Sequence, residues 1–346
     1  MTVAVIGADG QLGTDVILAF QKIGEATAGL THADLDISSL EGTRKILSSV
    51  RPSVIVNTAA MHHVENCEKE PLRAYEVNAL GARNLSIVAR ELEAKLVHVS
   101  TDYVFDGSKQ RPYVESDPAA PLNVYGNTKL AGEVFIKGTA EKYFIVRTSA
   151  LYGSNPCRAK GGRNFVDLML KLAGERDELR VVDDEVISPT STAELAKQIT
   201  ELSRADQYGL YHATAEGSCS WYEFARTIFE ITNTRVSLKI AAPNEFPARV
   251  PRPKYSVLEN QGLKKLGLNF LASWQEGLTS LATLDPALRG NLIPENFQDR
   301  VRVGIRNSLP CAEMRGSVAH TEKCYKVMLG IGTGVTAKLF VVHLQV

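Results

Sequence analysis

The chain has 346 residues, room for two domains or for one with insertions, and its 44% hydrophobic content is ample for a core. Lysine plus arginine and aspartate plus glutamate both number 39, so no global field draws it to nucleic acid or to an anionic membrane. Its five cysteines (Cys67, Cys157, Cys219, Cys311 and Cys324) are odd in number and form no Cys-x-x-Cys pair, which fits a reducing cytoplasm and argues against a zinc site.

Thr2 to Ile6 is an apolar strand opener where a secretory leader would carry its charged and apolar regions, so a cytoplasmic protein is expected. Gly7-Ala8-Asp9-Gly10-Gln11-Leu12-Gly13 follows at once, and Thr14 to Ile23 reads as a helix with apolar Val16, Ile17, Ala19, Phe20 and Ile23. Strand, glycine-rich turn and helix together point to dinucleotide binding, because the glycines let the backbone approach a pyrophosphate at the positive end of the helix. Glu25 to Leu30 is a weak second strand, and Ser39 to Val50 is helical, with Ser38 or Ser39 available as its cap. Asp36 lies between them as a solvated acidic turn or as a cofactor contact. Leu30-Thr31-His32 puts no carboxylate at the end of that strand to repel a 2′-phosphate, which favours NADPH while tolerating NADH. Val54 to Asn57 is the third strand. From its carboxyl end run Thr58, Ala59, Ala60, Met61, His62, His63 and Val64, with small residues where a cofactor ribose would approach. His62 and His63 point apart on an extended loop and lack a third ligand nearby, so no metal site is expected. Pro71 to Glu91 reads as one long helix with an apolar side of Tyr75, Val77, Leu80, Leu85, Val88 and Leu92. Asn78 on it either supports a site or makes an interhelical hydrogen bond.

Leu96 to Val99 is a short buried strand ending near Ser100, which puts Thr101 at the sheet edge where ligands of open α/β sheets bind. Tyr125 and Lys129 stand four apart in a helical stretch and so share a face. A phenol titrates near ~10. A neighbouring ammonium lowers that value, and a general acid works best with a pKa near the operating pH. Tyr125 is therefore a candidate proton donor, Lys129 its perturbing neighbour, and Thr101 a hydroxyl to hold the same oxygen. A tyrosine and lysine at this spacing also occur on many helices without any chemistry.

Phe144 to Arg147 is the next strand. Leu151 to Arg163 is a loop whose Arg158, Lys160 and Arg163 either contact a diphosphate or are simply solvated. Asn164 to Gly174 is an amphipathic helix, Arg180 to Val182 a strand, Ala193 to Leu202 a helix, and Leu210 to Ala213 the last strand of the main sheet. Trp221 to Ile231 is helical, Val236 to Ile240 extended, and the proline-rich run Pro243 to Pro253 carries Arg249 and Arg252, both candidates for a diphosphate. Trp274 to Leu281 closes this region. Asp285 to Val346 is irregular, and Lys338 with Gly330, Gly332 and Gly334 argues against a membrane span there.

The combination Gly7-x-x-Gly10-x-x-Gly13 with Tyr125-x-x-x-Lys129 resembles the extended short-chain dehydrogenase/reductase superfamily. Its wording is similar to that of the dTDP-4-dehydrorhamnose reductases: Gly10-Gln11-Leu12-Gly13, Asn57 to Ala60, Val77-Asn78-Ala79, Ser100 to Phe105, Pro121 to Lys129, Arg147-Thr148-Ser149, Arg252-Pro253 and Trp274. The resemblance runs from Met1 to about Leu284. It implies a Rossmann-type doubly wound parallel sheet with a smaller C-terminal α/β lobe for the substrate. The NAD(P)-binding part would be residues 1–150 with about 190–214, the lobe about 151–189 and 215–284, and 285–346 a tail of unknown role. The implied reaction is NADPH-dependent reduction of the 4-keto group of a nucleotide-activated deoxysugar. Thr101, Tyr125 and Lys129 would be catalytic. Gly7, Gly10, Gln11, Leu12, Gly13, Asp36, Ile37, Ala59, Ala60, Met61 and His62 would hold the cofactor with Tyr125 and Lys129. Val64, Thr101, Asp102, Tyr125, Ala150, Asn164 and Arg252 would meet the sugar nucleotide. Ala150 departs from the family, many of whose members carry a tryptophan there against the sugar. A homodimer is expected, with no nucleic-acid or membrane partner. Two other functions share this resemblance: a sugar-nucleotide epimerase, and a non-catalytic binding protein similar to the regulatory subunit of methionine adenosyltransferase. A 4,6-dehydratase would need a glutamate where Tyr103 stands.

Overall fold

A computed structural model of the chain describes residues 1–157, 161–243, 245–246 and 249–284. The expectations for Arg158, Lys160, Cys311, Cys324 and the tail 285–346 lie outside them. Backbone contacts group Met1–Pro294 as one unit and Glu295–Val346 as another, and everything below concerns the first.

The chain runs β1 (Thr2–Ile6), α1 (Gln11–Lys22), β2 (Ala26–Leu30), α2 (Leu40–Val50), β3 (Val54–Asn57), α3 (Val64–Lys69), α4 (Pro71–Tyr75), α5 (Gly81–Glu91), β4 (Lys95–Thr101), α6 (Val124–Thr139), β5 (Tyr143–Thr148) and β6 (Leu151–Tyr152). It continues through α7 (Phe165–Glu175), β7 (Glu178–Val181), β8 (Val186–Ile187), β9 (Thr190–Ser191), α8 (Thr192–Arg204), β10 (Gly209–His212), β11 (Cys219–Ser220), α9 (Trp221–Ile231), β12 (Ser237–Ile240), α10 (Gln261–Leu266) and α11 (Trp274–Leu284).

Six strands form one sheet in the order β10-β5-β4-β3-β1-β2, all pairs parallel. The chain reverses direction across the sheet between β1 and β3, and that is the switch point at which doubly wound sheets bind ligands. Period-two alternation sends the two faces of each strand to different partners. Val3, Val5, Val54, Val56, Val97, Phe144 and Val146 pack with Leu12, Val16 and Phe20 of α1 and with Leu195, Ile199 and Leu202 of α8. Ala4, Ile6, Ile55, Leu96 and Ile145 pack on the other side with Leu47 of α2, Leu85 and Val88 of α5, and Ile136 of α6. The strands are apolar on both faces because both are covered. A separate core joins Tyr152, Val166, Leu179, Phe224, Ile228, Trp274 and Leu278 from α7, β7, α9, α11 and β6.

The single helix expected from Pro71 to Glu91 is interrupted. α4 and α5 are joined by a π-helical turn, Glu76–Leu80, which admits one extra residue per turn. It aims Asn78, 1% exposed, out of the helix toward the β3 loop and α6. Two of the three glycines of α6, Gly126 and Gly132, are sites of close approach rather than breaks. A Cβ at Gly126 would lie 2.2 Å from the Tyr103 carbonyl oxygen, and one at Gly132 would lie 2.5 Å from that of Asn78. Among the described residues no helix is long and apolar enough to cross a membrane.

Candidate active site

The glycine turn lies at the sheet's switch point. Gly7 has φ +78°, a left-handed conformation that glycine adopts without strain. A Cβ on Gly13 would come within 2.1 Å of the Gly7 carbonyl oxygen, so Gly13 is required for packing of the turn itself. At Gly10 a Cβ would meet that oxygen at 3.2 Å, a tight contact, and no other atom within 4 Å apart from its chain neighbours. α1 begins at Gln11 with no side-chain cap and no acidic residue in its first turn. Its first N–H groups and positive dipole end are therefore available to an anion, as a pyrophosphate requires. Gln11 and Leu12 are buried in that first turn.

The loop after β3 closes against this turn. The Thr58 hydroxyl donates to the Ile6 carbonyl at 2.8 Å, and the Ala59 N–H donates to Asn57 Oδ1 at 3.1 Å. Asn78 fixes the next residues. Its Oδ1 accepts from the Met61 N–H at 2.8 Å, and its Nδ2 donates to the Met61 carbonyl at 2.9 Å and to Thr128 Oγ1 at 3.0 Å. Ala59, Ala60, Met61 and His62 are thus held on the path from the glycine turn to α6, with His62 Nε2 3.6 Å from Cys157 Sγ.

β4 ends at Thr101, whose side chain accepts from the Tyr103 N–H at 3.1 Å and whose hydroxyl donates to Asp102 Oδ1 at 3.0 Å. The Ser149 hydroxyl donates to Asp102 Oδ2 at 2.8 Å. Burial holds the Asp102 carboxyl above its usual range against these bonds. Asn123 caps α6, accepting from the Gly126 N–H at 2.9 Å, and so orients Tyr125 on the first turn. The Tyr125 ring meets Tyr103 edge-on, with centroids 5.8 Å apart. Burial pushes the Tyr125 phenol well above its ordinary value, hydrogen bonding to Thr101 offsets part of that rise, and the charge of Asp102 adds to it.

Lys129 departs from the expectation placed on it. Its Nζ turns in toward β4, 2.7 Å from the Val99 carbonyl and 3.1 Å from His98 Nε2. Burial brings this lysine down to about 8, against the nearby charge of Glu133. The shift at Tyr125 is therefore set by burial, Thr101 and Asp102, and not by the ammonium four residues on. His98 was one letter inside an apolar run. The only signal in the sequence was a polar ring inside a strand expected to be buried; such a ring, here 1% exposed, must have partners, though the sequence does not say which.

Three further residues are already engaged. Asp36 Oδ1 accepts from the Ser38 N–H and hydroxyl at 3.0 and 2.7 Å, and Oδ2 pairs with Arg73 Nη2 at 3.2 Å. Beside it Ile37 is buried against Gly81. Asn164 caps α7 with a reciprocal Asp167 bond and donates to the Gly153 carbonyl at 2.7 Å. Arg252 Nη2 lies 2.6 Å from Glu65 Oε1, next to Val64 at the start of α3. Beside Arg252 opens a cavity of about 490 Å³ lined also by Asp106, Leu122, Asp184, Lys254 and Tyr255. Ala150, between β5 and β6, holds a left-handed φ of +44°. The reading that no carboxylate sits at the end of β2 is corrected: Asp34 folds back so that its Oδ2 accepts from the Thr31 N–H at 2.9 Å and hydroxyl at 2.7 Å.

Comparison with known proteins accords with this arrangement. The family described as RmlD substrate binding domain matches residues 1–285. The spore coat polysaccharide biosynthesis protein SpsK of Bacillus subtilis is 38% identical over 80% of this chain and 95% of its own. The dTDP-4-dehydrorhamnose reductase of Escherichia coli is 36% identical over 80% of this chain and 96% of its own. A solved dTDP-4-dehydrorhamnose reductase of Bacillus anthracis, in complex with NADP, is 39% identical, superposes with a TM-score of 0.78, and covers 82% of this chain and 99% of its own. A glycine turn at the switch point, a Thr101–Tyr125 pair at the end of β4 and a family match over residues 1–285 lead to one assignment: the chain belongs to the RmlD substrate binding domain family.

Proposed function

We propose that this chain reduces the 4-keto group of a nucleotide-activated deoxysugar with NADPH, as a dTDP-4-dehydrorhamnose reductase does. The observation that carries the reading is the meeting of Thr101, Asp102 and Tyr125 at the carboxyl edge of the same sheet that presents the open glycine turn. The uncapped α1 N-terminus and the bare backbone at Gly10 fit a pyrophosphate, and NADPH bound there supplies the hydride that reduces the carbonyl carbon.

The chain's own residues do the rest. Tyr125 keeps its proton through the neutral range because burial disfavours the phenolate, and it releases that proton to the developing alkoxide, a stronger base than phenolate. Thr101, turning its hydroxyl from Asp102, orients the carbonyl oxygen. Lys129 holds the nicotinamide ribose. Arg252, released from Glu65, takes the substrate diphosphate at the cavity beside it. The products are the alcohol and oxidised cofactor, and solvent restores the proton to Tyr125.

On this reading residues 1–150 with about 190–214 carry the cofactor, and about 151–189 with 215–284 form the substrate lobe, a division supported by the separate core of α7, α9 and α11. The protein works in the cytoplasm as a homodimer, and its buried Cys67 and Cys219 are thiols. The test is a panel of 4-keto sugar nucleotides with NADPH, followed at the nicotinamide absorbance. Turnover of one of them is expected. Tight NADPH binding with no turnover of any would replace the reductase by a non-catalytic NADP-binding protein.

A further inference from the structure

Beneath the proposed site runs a line of buried hydrogen bonds in which each partner fixes the next. The Ala59 N–H, which can only donate, faces Asn57 Oδ1 at 3.1 Å. That sets the orientation of the Asn57 amide, because a flipped amide would bring two donors together. Asn57 Nδ2 then points at His98 Nδ1, 2.9 Å away, and an amide nitrogen also only donates. His98 Nδ1 must therefore accept, which puts the imidazole proton on Nε2. Nε2 lies 3.1 Å from Lys129 Nζ. An N–H facing an ammonium is again two donors, so the arrangement closes only when Nζ has a lone pair and accepts. The amine then donates to the Val99 carbonyl at 2.7 Å. Asn57, His98 and Lys129 are 1%, 1% and 2% exposed, so water does not stand in for any of these partners.

We propose that Asn57 and His98 are positioning residues that favour the neutral amine of Lys129 in the cofactor-free protein, so that in mildly alkaline solution cofactor binding takes up a proton at Lys129. Protonation turns Nζ into a donor opposite the His98 N–H, breaks that contact and frees the ammonium. The coupling rests on the reading above that Lys129 meets the cofactor; the relay itself does not. The groups around the lysine leave it the titrating one. Glu133, from the same helix, is held by Arg147 of β5 and Ser100 of β4. His98 of β4 is kept neutral by burial, and further by the lysine whenever that is charged. Toward Tyr125, the Cys67 thiol of α3 is pushed up to about 11 by burial, and the phenol lies higher still.

The sign follows from linkage. Lys129 titrates at about 8 in the free protein and higher against an anionic cofactor, so NADPH affinity is fully present below about 8. Above it, affinity falls up to about tenfold per pH unit, the limit for one proton. The deciding variant is Asn57→Asp. The new carboxylate still accepts from the Ala59 N–H but now also accepts from His98 Nδ1–H. Nε2 becomes the acceptor, and the ammonium is favoured. In His98→Gln the side-chain amide can likewise turn its oxygen to the ammonium.

The free proteins are titrated by NMR with isotope-labelled lysine, Lys129 being assigned by its loss in Lys129→Met. NADPH affinity is measured by fluorescence over roughly pH 7 to 10, the interval between the ordinary histidine and lysine ranges. Both variants are expected to move Lys129 up by at least about one pH unit and to flatten the affinity profile. A merely structural role for His98 would weaken affinity equally at every pH. An unshifted lysine in the wild type, or no movement in Asn57→Asp, overturns the relay and leaves the reductase reading intact. A shifted lysine with a flat wild-type affinity overturns the coupling, and with it the place of Lys129 in the cofactor site.

Discussion

Replacing Glu133 by glutamine keeps its shape and removes its charge, and the surroundings are built for the charge. Glu133 is 0% exposed and Arg147 3%, and they meet in a bidentate pair, Nε to Oε1 at 2.9 Å and Nη2 to Oε2 at 2.6 Å. The Ser100 hydroxyl donates to Oε1 at 2.6 Å. The variant leaves a guanidinium buried without its counter-charge and sets an amide N–H against an arginine N–H. Loss of one partner of a buried pair costs ~3–5 kcal/mol. That is a large share of the ~5–15 kcal/mol of a typical domain. The double variant Glu133→Leu with Arg147→Met replaces both charges with apolar groups and should regain most of the loss. A residue of ~1–3 kcal/mol should remain, because the Ser100 hydroxyl loses its acceptor. Phe105, whose ring lies 5.1 Å from the guanidinium carbon, also loses its cation. Urea unfolding near neutral pH, followed together by circular dichroism and tryptophan fluorescence, measures both, provided the two transitions coincide. A single variant within about 1 kcal/mol of wild type, or a double variant no better than the single, refutes the account.

Three further outcomes follow from the site. Tyr125→Phe removes only a hydroxyl, so NADPH affinity should persist while kcat falls ~100- to 10,000-fold, the usual worth of a general acid; a wild-type rate ends that role. Gly10→Val sets a branched side chain beside the turn, its Cβ 3.2 Å from the Gly7 carbonyl oxygen, so calorimetry should find NADPH binding lost with a small drop in thermal stability, whereas Gly13→Ala, aimed directly at that carbonyl, should lower stability more. Asp34→Asn removes the carboxylate at the end of β2 and should raise kcat/KM for NADPH relative to NADH; an unchanged ratio would place the 2′-phosphate away from Asp34.

The elements that carry a local signature were readable from the sequence. The glycine turn, the strand into Thr101 and the Tyr125–Lys129 spacing each depend on a few adjacent residues, and each formed where expected. What could not be read depends on which elements become neighbours. Spacing put Tyr125 and Lys129 on one helix face, but the lysine's partner is His98, brought near it by the packing of α6 against β4. Asp36 and Asn164 show the opposite ambiguity: a short polar side chain next to a helix can bind a ligand or cap the helix, and Asn164 caps α7. The fold-back of Asp34 onto Thr31 was within reach, since an acidic residue three positions after a threonine is an ordinary turn pattern. The π-helical turn was out of reach, because one extra residue leaves the apolar pattern on either side intact.

That turn also makes the helical path from Pro71 to Glu91 unequal in its tolerance of changes in length. An α-helix advances by about 100° per residue, and the wide turn at Glu76–Leu80 absorbs one extra residue, so removing one residue there would close it to regular pitch while α5 keeps its phase. Leu85, Val88 and Ala89 would stay on the sheet, but Asn78 would lose its aim at Met61. A single-codon deletion inside α5 has no such turn to absorb it, and would swing everything beyond it and unseat a face of the core.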